Sequence, residues 1–562
     1  MNTIDLLNIF KSIFDADKCT EFLRQIHFND RLFSFDAFER TAYNCHRFMK
    51  DIGLEDVEML PVKADGKTPY GDWVIPRAWD AESAVLKILS DGVVFADYNQ
   101  VPCSLVMYST ATPIGGITAE AVMVDDINDI DSDLKGKIIV TARPVGELID
   151  FAAESGAIGI VSDFIPLYKG VRDDLNDMRD VSRWDGLSFG GGNKGLFGFS
   201  LSPANGEKLR EMIRQGKSTL YAEVKTKTYD GVCYTVSGKI KGEIDDSLNI
   251  YGHLYEPGAN DNASGCSVIL ELARCINTAI AVGILPRPQL TLNFVMGWEC
   301  TGSVAWFEAK DRNSVGGFVA DMVGTDTIDN SHMCIWHAPM SNISFADYYI
   351  EHVIHEYINY SGLDFKWENK KFSIGTDNIL SDPCFSMPSA AMITEPAFSY
   401  HSSLDVPERI QSDVIDRNGI IIGTYLFGLA IMEVTEVDEF WKSLQAYVYN
   451  TSFAYKFELI KVAHQSLKKL FPEWRKEYDL IPVRKVAGCL TFYARSDLRG
   501  SKWRPAWNNQ LNLPLFWADG KRTLWDITVL SAAEAGESID SQWRLVYEYF
   551  TFSEENGYII FI

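Results

Sequence analysis

None of the ten cysteines stands in a CxxC pair, the spacing that marks a zinc ribbon or a redox motif. Scattered singly through 562 residues, they also lack the density of a disulfide framework, which points to a reducing cytosol. Positive charge is scarce. The chain has 52 Lys and Arg against 77 Asp and Glu, a net charge of −25, the reverse of what a nucleic-acid partner needs. The same acidity favours attraction of cationic substrates, free amino termini among them. No basic-then-apolar segment opens the chain at Met1-Asn-Thr-Ile-Asp-Leu-Leu, so no secretory leader is expected. The longest apolar run, 419–432, is too short to span a bilayer and predicts a buried helix. Internal repeats are missing, as are a GxxxxGK[ST] phosphate loop and an HExxH helix. The glycine-rich stretch 190–195 is therefore expected as a lid rather than a phosphate cradle. The expectation is a cytoplasmic protein with no membrane segment. Its hydrophobic content of 46% supplies several cores and hence several domains.

The most informative stretch is Gly252-His253-Leu254-Tyr255-Glu256-Pro257-Gly258-Ala259-Asn260-Asp261-Asn262-Ala263-Ser264-Gly265. A hydrophobic strand runs into a histidine, and a Gly/Pro turn leads to an aspartate between two asparagines. An apolar helix with Val268, Ile269, Leu272 and Ile276 on one side follows. An imidazole and a carboxylate thus lie at the carboxyl end of a strand, where open α/β sheets keep their sites. Their chemistry suits zinc or a similar divalent ion. Three later strand ends add further ligand types. A β-like run from Gln289 ends in Glu299 before Cys300-Thr301-Gly302-Ser303. The short apolar strand 317–324 encloses Asp321, costly to bury unless paired or metal-bound. The run 389–396 precedes Ser399-Tyr400-His401-Ser402-Ser403-Leu404-Asp405. Five such residues hold two metal ions if one carboxylate bridges them.

Gly-Ala-Asn-Asp-Asn-Ala-Ser-Gly (258–265), Asp-Met-Val-Gly (321–324) and Tyr-His-Ser-Ser-Leu-Asp (400–405) resemble the motifs of the di-zinc aminopeptidase family that carries an inserted protease-associated domain. The likeness covers roughly residues 226–435. It implies that His253 and Asp321 bind one metal, that His401 binds the other, and that Asp261 bridges them. It implies zinc, with cobalt or manganese as substitutes, and a peptide or amino-acid amide as substrate. Tyr400 matches a position that donates a hydrogen bond to the oxyanion. Two departures stand out. The family's usual His-x-Asp places an aspartate that orients the histidine; here that position is Tyr255, and Glu256 offers a substitute. The family also has two adjacent glutamates, a base and a ligand, whereas here Glu299 stands alone between Trp298 and Cys300. Aligned without gaps, Glu299 is the base and Cys300 the ligand. Aligned on Gly302-Ser303, Glu299 is itself the ligand. Asp405 is spaced to bond near His401 or cap a turn. Asp377 and Asp382 either hold a substrate amine or sit in surface turns, the latter preferred.

The other histidines carry less. His352 and His355 lie three apart on one helical face, His332 and His337 flank Cys334 and Trp336, and His27, His46 and His464 sit on amphipathic helices as structural residues. Residues 1–110 are expected to hold an N-terminal helical part and first strands of a peptidase core. A β-rich protease-associated insert over 111–225 follows, with a β-α-β piece near 133–163. The metallopeptidase core takes 226–435 and a winged-helix-like domain 436–562, the ending of a bacterial aminopeptidase-like sub-branch that the segment 71–79 also resembles. The fold class is α/β, a mixed-sheet zinc-exopeptidase core with helices on both faces. The C-terminal part predicts helix over 440–470, a strand-turn-helix from Leu515, and a basic patch of Arg495, Arg499, Lys502 and Arg504 with Trp503 and Trp507. It reads as a packing or dimerisation module of a homo-oligomer rather than a DNA reader. The function expected is a metal-dependent aminopeptidase. The alternatives are a binding protein with a weakened site and a hydrolase of a non-peptide N-acyl substrate.

Overall fold

The computed structural model describes residues 1–126, 133–187, 194–310, 313–385, 387–432, 476–498 and 500–562. The glycine-rich residues 190–193, the helix expected over 440–470, His464 and Arg499 lie outside them. Among the described residues the chain opens with three helices, α1 (Thr3–Ile13), α2 (Ala16–Asp30) and α3 (Phe35–Ile52). Asn2 and Asp5 close a reciprocal capping box on the first helix, and Asp15 caps the second. α3 stops at Gly53, whose φ of +86° suits a residue without Cβ.

Strands β1 (Glu55–Ala64), β2 (Ala78–Ile88), β3 (Val94–Asp97), β4 (Ile117–Met123) and β5 (Ile138–Thr141) follow. Then come α4 (Ile149–Glu154), β6 (Gly159–Ser162), β7 (Phe197–Ser200), α5 (Pro203–Arg214), β8 (Thr219–Tyr229) and β9 (Gly231–Ile240). The next part alternates: β10 (Ser247–Leu254), α6 (Ala263–Ala281), β11 (Thr291–Trp298), α7 (Thr301–Ala309), β12 (Ser314–Asp321) and β13 (Met333–Trp336). It closes with α8 (Phe345–Ser361), β14 (Trp367–Lys370), β15 (Ser389–Thr394) and α9 (Ser412–Ile431). The C-terminal part contributes β16 (Pro482–Arg484), α10 (Asn509–Phe516), α11 (Leu524–Ala535), α12 (Ile539–Glu555) and β17 (Ile559–Phe561).

The strands form two mixed sheets and a small pair. The larger sheet runs β1-β9-β11-β10-β12-β15-β13-β14, with β11, β10, β12 and β15 mutually parallel. β10 and β15 are buried along their whole length, as parallel strands covered on both faces must be. The chain leaves β10 through α6 to β11 on one side, then returns through α7 to β12 on the other. Successive connections so diverge at β10, and a crevice opens at the carboxyl ends of these strands.

The second sheet runs β3-β2-β8-β4-β5-β6-β7, with β4 to β7 parallel. It takes its strands from residues 78–229, so β2 and β3 lie here and not in the first sheet. β2 pairs with β8 from Ala78↔Tyr229 to Ile88↔Leu220, a long-range pairing that no local pattern announces.

On one face of the first sheet α6 and α9 pack together with α1, α2 and α3 in the main core. α9 is long and apolar enough to cross a membrane by length and composition, but 89% of its apolar window is buried in the fold. On the other face Val304 and Phe307 of α7 join Ile379, Leu380, Cys489, Leu513 and Phe516 in a second core that includes the C-terminal part. Leu515, expected to begin a strand, instead lies in the last turn of α10. A short apolar run fits either element, and packing against Leu511, Trp517 and Leu524 decides for helix.

Candidate metal centre

Each parallel strand of the first sheet delivers a ligand-type side chain to the crevice. β10 ends at His253-Leu254, and His253 is 1% exposed. The chain turns at Tyr255 (φ +76°) and reaches Asp261 just before α6. The peptide between Asp261 and Asn262 is cis. Asn262 caps α6 by accepting from the Gly265 N–H at 3.0 Å, and the same oxygen accepts from Met322 N–H at 3.2 Å. Asn260 accepts from Gly324 N–H at 2.8 Å and Ser264 from Val323 N–H at 2.9 Å. The loops after β10 and β12 are thereby sewn together, with Asp321 at the join. A Cβ on Gly265 would collide with the Ala320 carbonyl, so the glycine of this motif lets helix and strand approach.

The fourth loop, after β15, closes the ring. Asp405 does not cap its own turn near His401. It reaches across, and its carboxylate accepts the N–H groups of Asn260 at 2.6 Å and Asp261 at 3.1 Å. This clamp fixes the His401 loop to the Asp261 loop.

Asp261 stands between two imidazoles: Oδ1 lies 3.3 Å from His253 Nε2 and Oδ2 lies 3.3 Å from His401 Nε2. Around that carboxylate two sets of ligand atoms each fall within 4.8 Å of one another, His253-Asp261-Asp321 and Glu256-Asp261-His401. Burial opposes ionisation of Asp261, yet its hydrogen bonds to His253 and His401 hold it well below the usual carboxylate range. Asp321, Glu256 and Glu299 are pushed upward, chiefly by burial. Among the described residues, buried Asp321 Oδ1 finds no hydrogen-bond partner. Carboxylates so crowded, one of them with an orphaned oxygen, are costly to desolvate without a cation. The donor set of imidazole nitrogen and carboxylate oxygen fits zinc and its divalent neighbours.

Around this set lies a ring of supporting groups. Asp377 Oδ2 is 3.3 Å from His253 Nδ1, while its Oδ1 accepts from Cys300 N–H at 2.7 Å and Ser303 Oγ at 2.9 Å. Asp382 forms a two-pronged pair with Arg484 at 2.8 and 2.7 Å. Neither is the surface turn residue the sequence suggests: both are fully buried, because their loop is folded between α7 and the C-terminal part. Cys300, a ligand under one of the two alignments, faces away from the Asp261 set. Its thiol faces the Thr376 carbonyl at 3.6 Å and packs in the apolar core with Tyr251 and Val304. Neither Cys300 nor Glu299 belongs to the two sets around Asp261. Glu299 follows the end of β11, and the charges of His253, Glu256, Asp377 and Asp321 all act on it. Tyr400 stacks on His401 with ring centroids 3.7 Å apart.

The region of the second sheet reaches the centre as well, which the sequence does not signal. Trp184 lies against the His401 ring at 4.0 Å, and its backbone N–H donates to the His401 carbonyl at 3.2 Å. Ser182 and Ser403 are joined through Ser403 N–H to the Ser182 carbonyl at 2.8 Å and Ser182 N–H to Ser403 Oγ at 3.1 Å.

The remaining histidines are placed elsewhere. His332, Cys334 and Glu368 form a third close set, but Lys370 Nζ already sits 3.3 Å from Glu368 and 2.9 Å from Glu395. His337 lies between Asp347 and Glu351. His352 meets Thr3 Oγ1 at 3.2 Å and His355 packs edge-on against Trp367. His27 is buried in α2.

Residues 236–426 match the sequence model of peptidase family M28. A curated relative, leucine aminopeptidase 2 of Arthroderma otae, is 26% identical over 211 residues, 34% of this chain and 39% of that protein. The chain thus matches well under half the length of that relative. Among solved structures, BSAP, a zinc aminopeptidase from Bacillus subtilis, aligns with a TM-score of 0.53 at 18% identity, over 75% of this chain and 96% of that one. A candidate peptidase from Clostridium acetobutylicum aligns over 97% of this chain and 98% of its own, with a TM-score of 0.51 and 15% identity. The likeness to these structures is one of fold, a mixed α/β architecture similar to that of M28 aminopeptidases. The family match lies within the larger sheet and its helices.

Proposed function

We propose that this chain is a metal-dependent aminopeptidase that removes N-terminal residues from peptides at a two-metal centre, with zinc the first choice and cobalt or manganese as substitutes. The observation that carries this reading is Asp261, held 3.3 Å from an imidazole on either side, with the unpartnered Oδ1 of Asp321 beside it. His253 and Asp321 would hold one ion and His401 the other, with Asp261 shared between them. A divalent pair supplies Lewis acidity when bound, lowering the pKa of water and polarising a carbonyl oxygen. Glu299 takes the proton of the attacking water and delivers it to the leaving amine. Tyr400 donates a hydrogen bond to the carbonyl oxygen as it gains charge. The crowd of carboxylates and the net charge of −25 favour a substrate that presents an ammonium group.

In the same reading the second sheet belongs to a protease-associated insert that shapes the approach through Trp184. The C-terminal part is a winged-helix-like packing module, and the protein works in the cytoplasm. The test is metal content and hydrolysis together. Wild type is expected to hold about two zinc equivalents and to cleave aminoacyl amides and short peptides. His253→Ala and His401→Ala should each lower both. A metal-free wild type after incubation with zinc, cobalt or manganese would overturn the proposal. Cleavage of N-acyl compounds alone would move the substrate to a non-peptide amide.

A further inference from the structure

We infer that Glu256 is the third protein ligand of the second metal site, the one that begins with His401 and Asp261. The inference rests on the two-metal reading above. Asp261 gives its second oxygen to the His401 side at 3.3 Å, and two protein ligands fall short of the three that catalytic zinc sites present. The next residue along from Glu299, Cys300, does not fill the gap. Its thiol is turned to the Thr376 carbonyl at 3.6 Å, its N–H is tied to Asp377 at 2.7 Å, and it is fully buried among apolar side chains. Glu256 is where Cys300 is not: a carboxylate oxygen of Glu256, one of Asp261 and an imidazole nitrogen of His401 lie within 4.8 Å of one another.

The local fold explains why the side chain points there. Tyr255 is anchored away from the site. Its hydroxyl donates to the Tyr234 carbonyl at 2.5 Å and its N–H to Asp30 at 2.9 Å. With Tyr255 at φ +76°, the chain reverses and Glu256 follows on the side of Asp261.

Which nitrogen of His253 each acid faces settles the competing role. An acid that orients His253 must meet Nδ1, because Nε2 is the atom turned to Asp261. Asp377 is at Nδ1, 3.3 Å away, whereas Glu256 is 3.8 Å from Nε2. Asp377 therefore does the orienting, and Glu256 stands on the metal side. Among the described residues His253 is also the one basic side chain within ion-pair reach of Glu256. A cation between Glu256, Asp261 and His401 resolves a contact that otherwise sets carboxylate against carboxylate.

The experiment is zinc binding by the full-length protein, stripped with chelator and titrated back, with the cobalt absorption spectrum as a second readout. Wild type, Glu256→Gln, Glu256→His and Cys300→Ser are compared, and the melting temperature of each metal-free protein checks folding. The expected result is two ions in wild type and in Cys300→Ser. Glu256→Gln should keep the first ion and bind the second at least ~10- to 100-fold more weakly. Glu256→His, which offers a ligand nitrogen, should recover much of the loss. Two ions at wild-type affinity in Glu256→Gln, or loss of the second ion in Cys300→Ser, would overturn the assignment. A wild type that takes up fewer than two ions would instead overturn the two-metal reading on which it rests.

Discussion

Four residues of the centre hold a backbone conformation that L side chains rarely adopt. Tyr255, Cys300, Met322 and His401 have φ of +76°, +56°, +50° and +52°, and each follows the end of one of the parallel strands. Such positions cost roughly 1–3 kcal/mol each, and they persist because neighbouring hydrogen bonds fix them. Asp377 is the residue through which this can be probed. Its Oδ1 accepts from Cys300 N–H and Ser303 Oγ, and Oδ2 faces His253 Nδ1. Asparagine in its place keeps the first two bonds but turns an amide donor toward Nδ1. His253 must then carry its proton on Nε2, the nitrogen that would bind metal in the proposed centre. Asp377→Asn is therefore expected to melt close to wild type without metal while binding the first ion ~10- to 100-fold more weakly. Equal zinc affinity for the two proteins would remove the orienting role. The sequence does present His253, Asp261, Asp321 and His401, because each sits at the end of a strand or in the loop that follows one, in a distinctive local setting. It does not present the work of Asp377, since a carboxylate in a loop looks the same whether it faces water or an imidazole from a distant strand.

At the scale of elements, the order of strands and helices between β9 and α9 follows from hydrophobic runs and turn residues, and these place the centre. Strand pairing is less legible. β2 and β3 look like any other short strands, and only their partner β8 assigns them to the second sheet. Side-chain clusters that join two elements are equally hidden, and one of them predicts a pH dependence. His337, after β13, lies 3.1 Å from Glu351 and 3.6 Å from Asp347 on α8. Burial works against its charged form, but the two carboxylates more than offset that and lift its pKa to about 10. A base whose pKa is raised on folding contributes fully below its unfolded value, near 6.5. The contribution then falls steadily as pH rises and is gone above about 10. His337→Gln should thus lower unfolding free energy by on the order of 2–4 kcal/mol at pH 6. The deficit should shrink progressively toward pH 10, as measured from urea midpoints at several pH values. A deficit independent of pH would mean that His337 acts by packing alone.

At the scale of the molecule, the centre is held by parts that lie far apart in the chain. Trp184 brings the second-sheet region against His401, and Asp72, from the segment between β1 and β2, accepts from Thr491 and Phe492 N–H at 2.6 and 2.7 Å. The C-terminal part also grips the loop that carries Asp377, through Arg484 and Asp382. That pair is buried, with side chains 6% and 0% exposed, and Arg484 Nη2 donates further to the Gly488 carbonyl at 2.6 Å. Removing one partner of such a pair strands a charge and costs about 3–5 kcal/mol, whereas replacing both with apolar residues is often neutral. Arg484→Met should accordingly destabilise the whole protein by that amount, and Arg484→Met with Asp382→Leu should recover most of it. If the C-terminal part serves the centre by fixing this loop, zinc affinity at the His253 site should fall in the single variant. It should return in the double variant, in step with stability. Recovery of stability with affinity still lost would mean that the Arg484–Asp382 geometry itself positions Asp377. A single variant with unchanged affinity would separate the C-terminal part from the metal centre altogether.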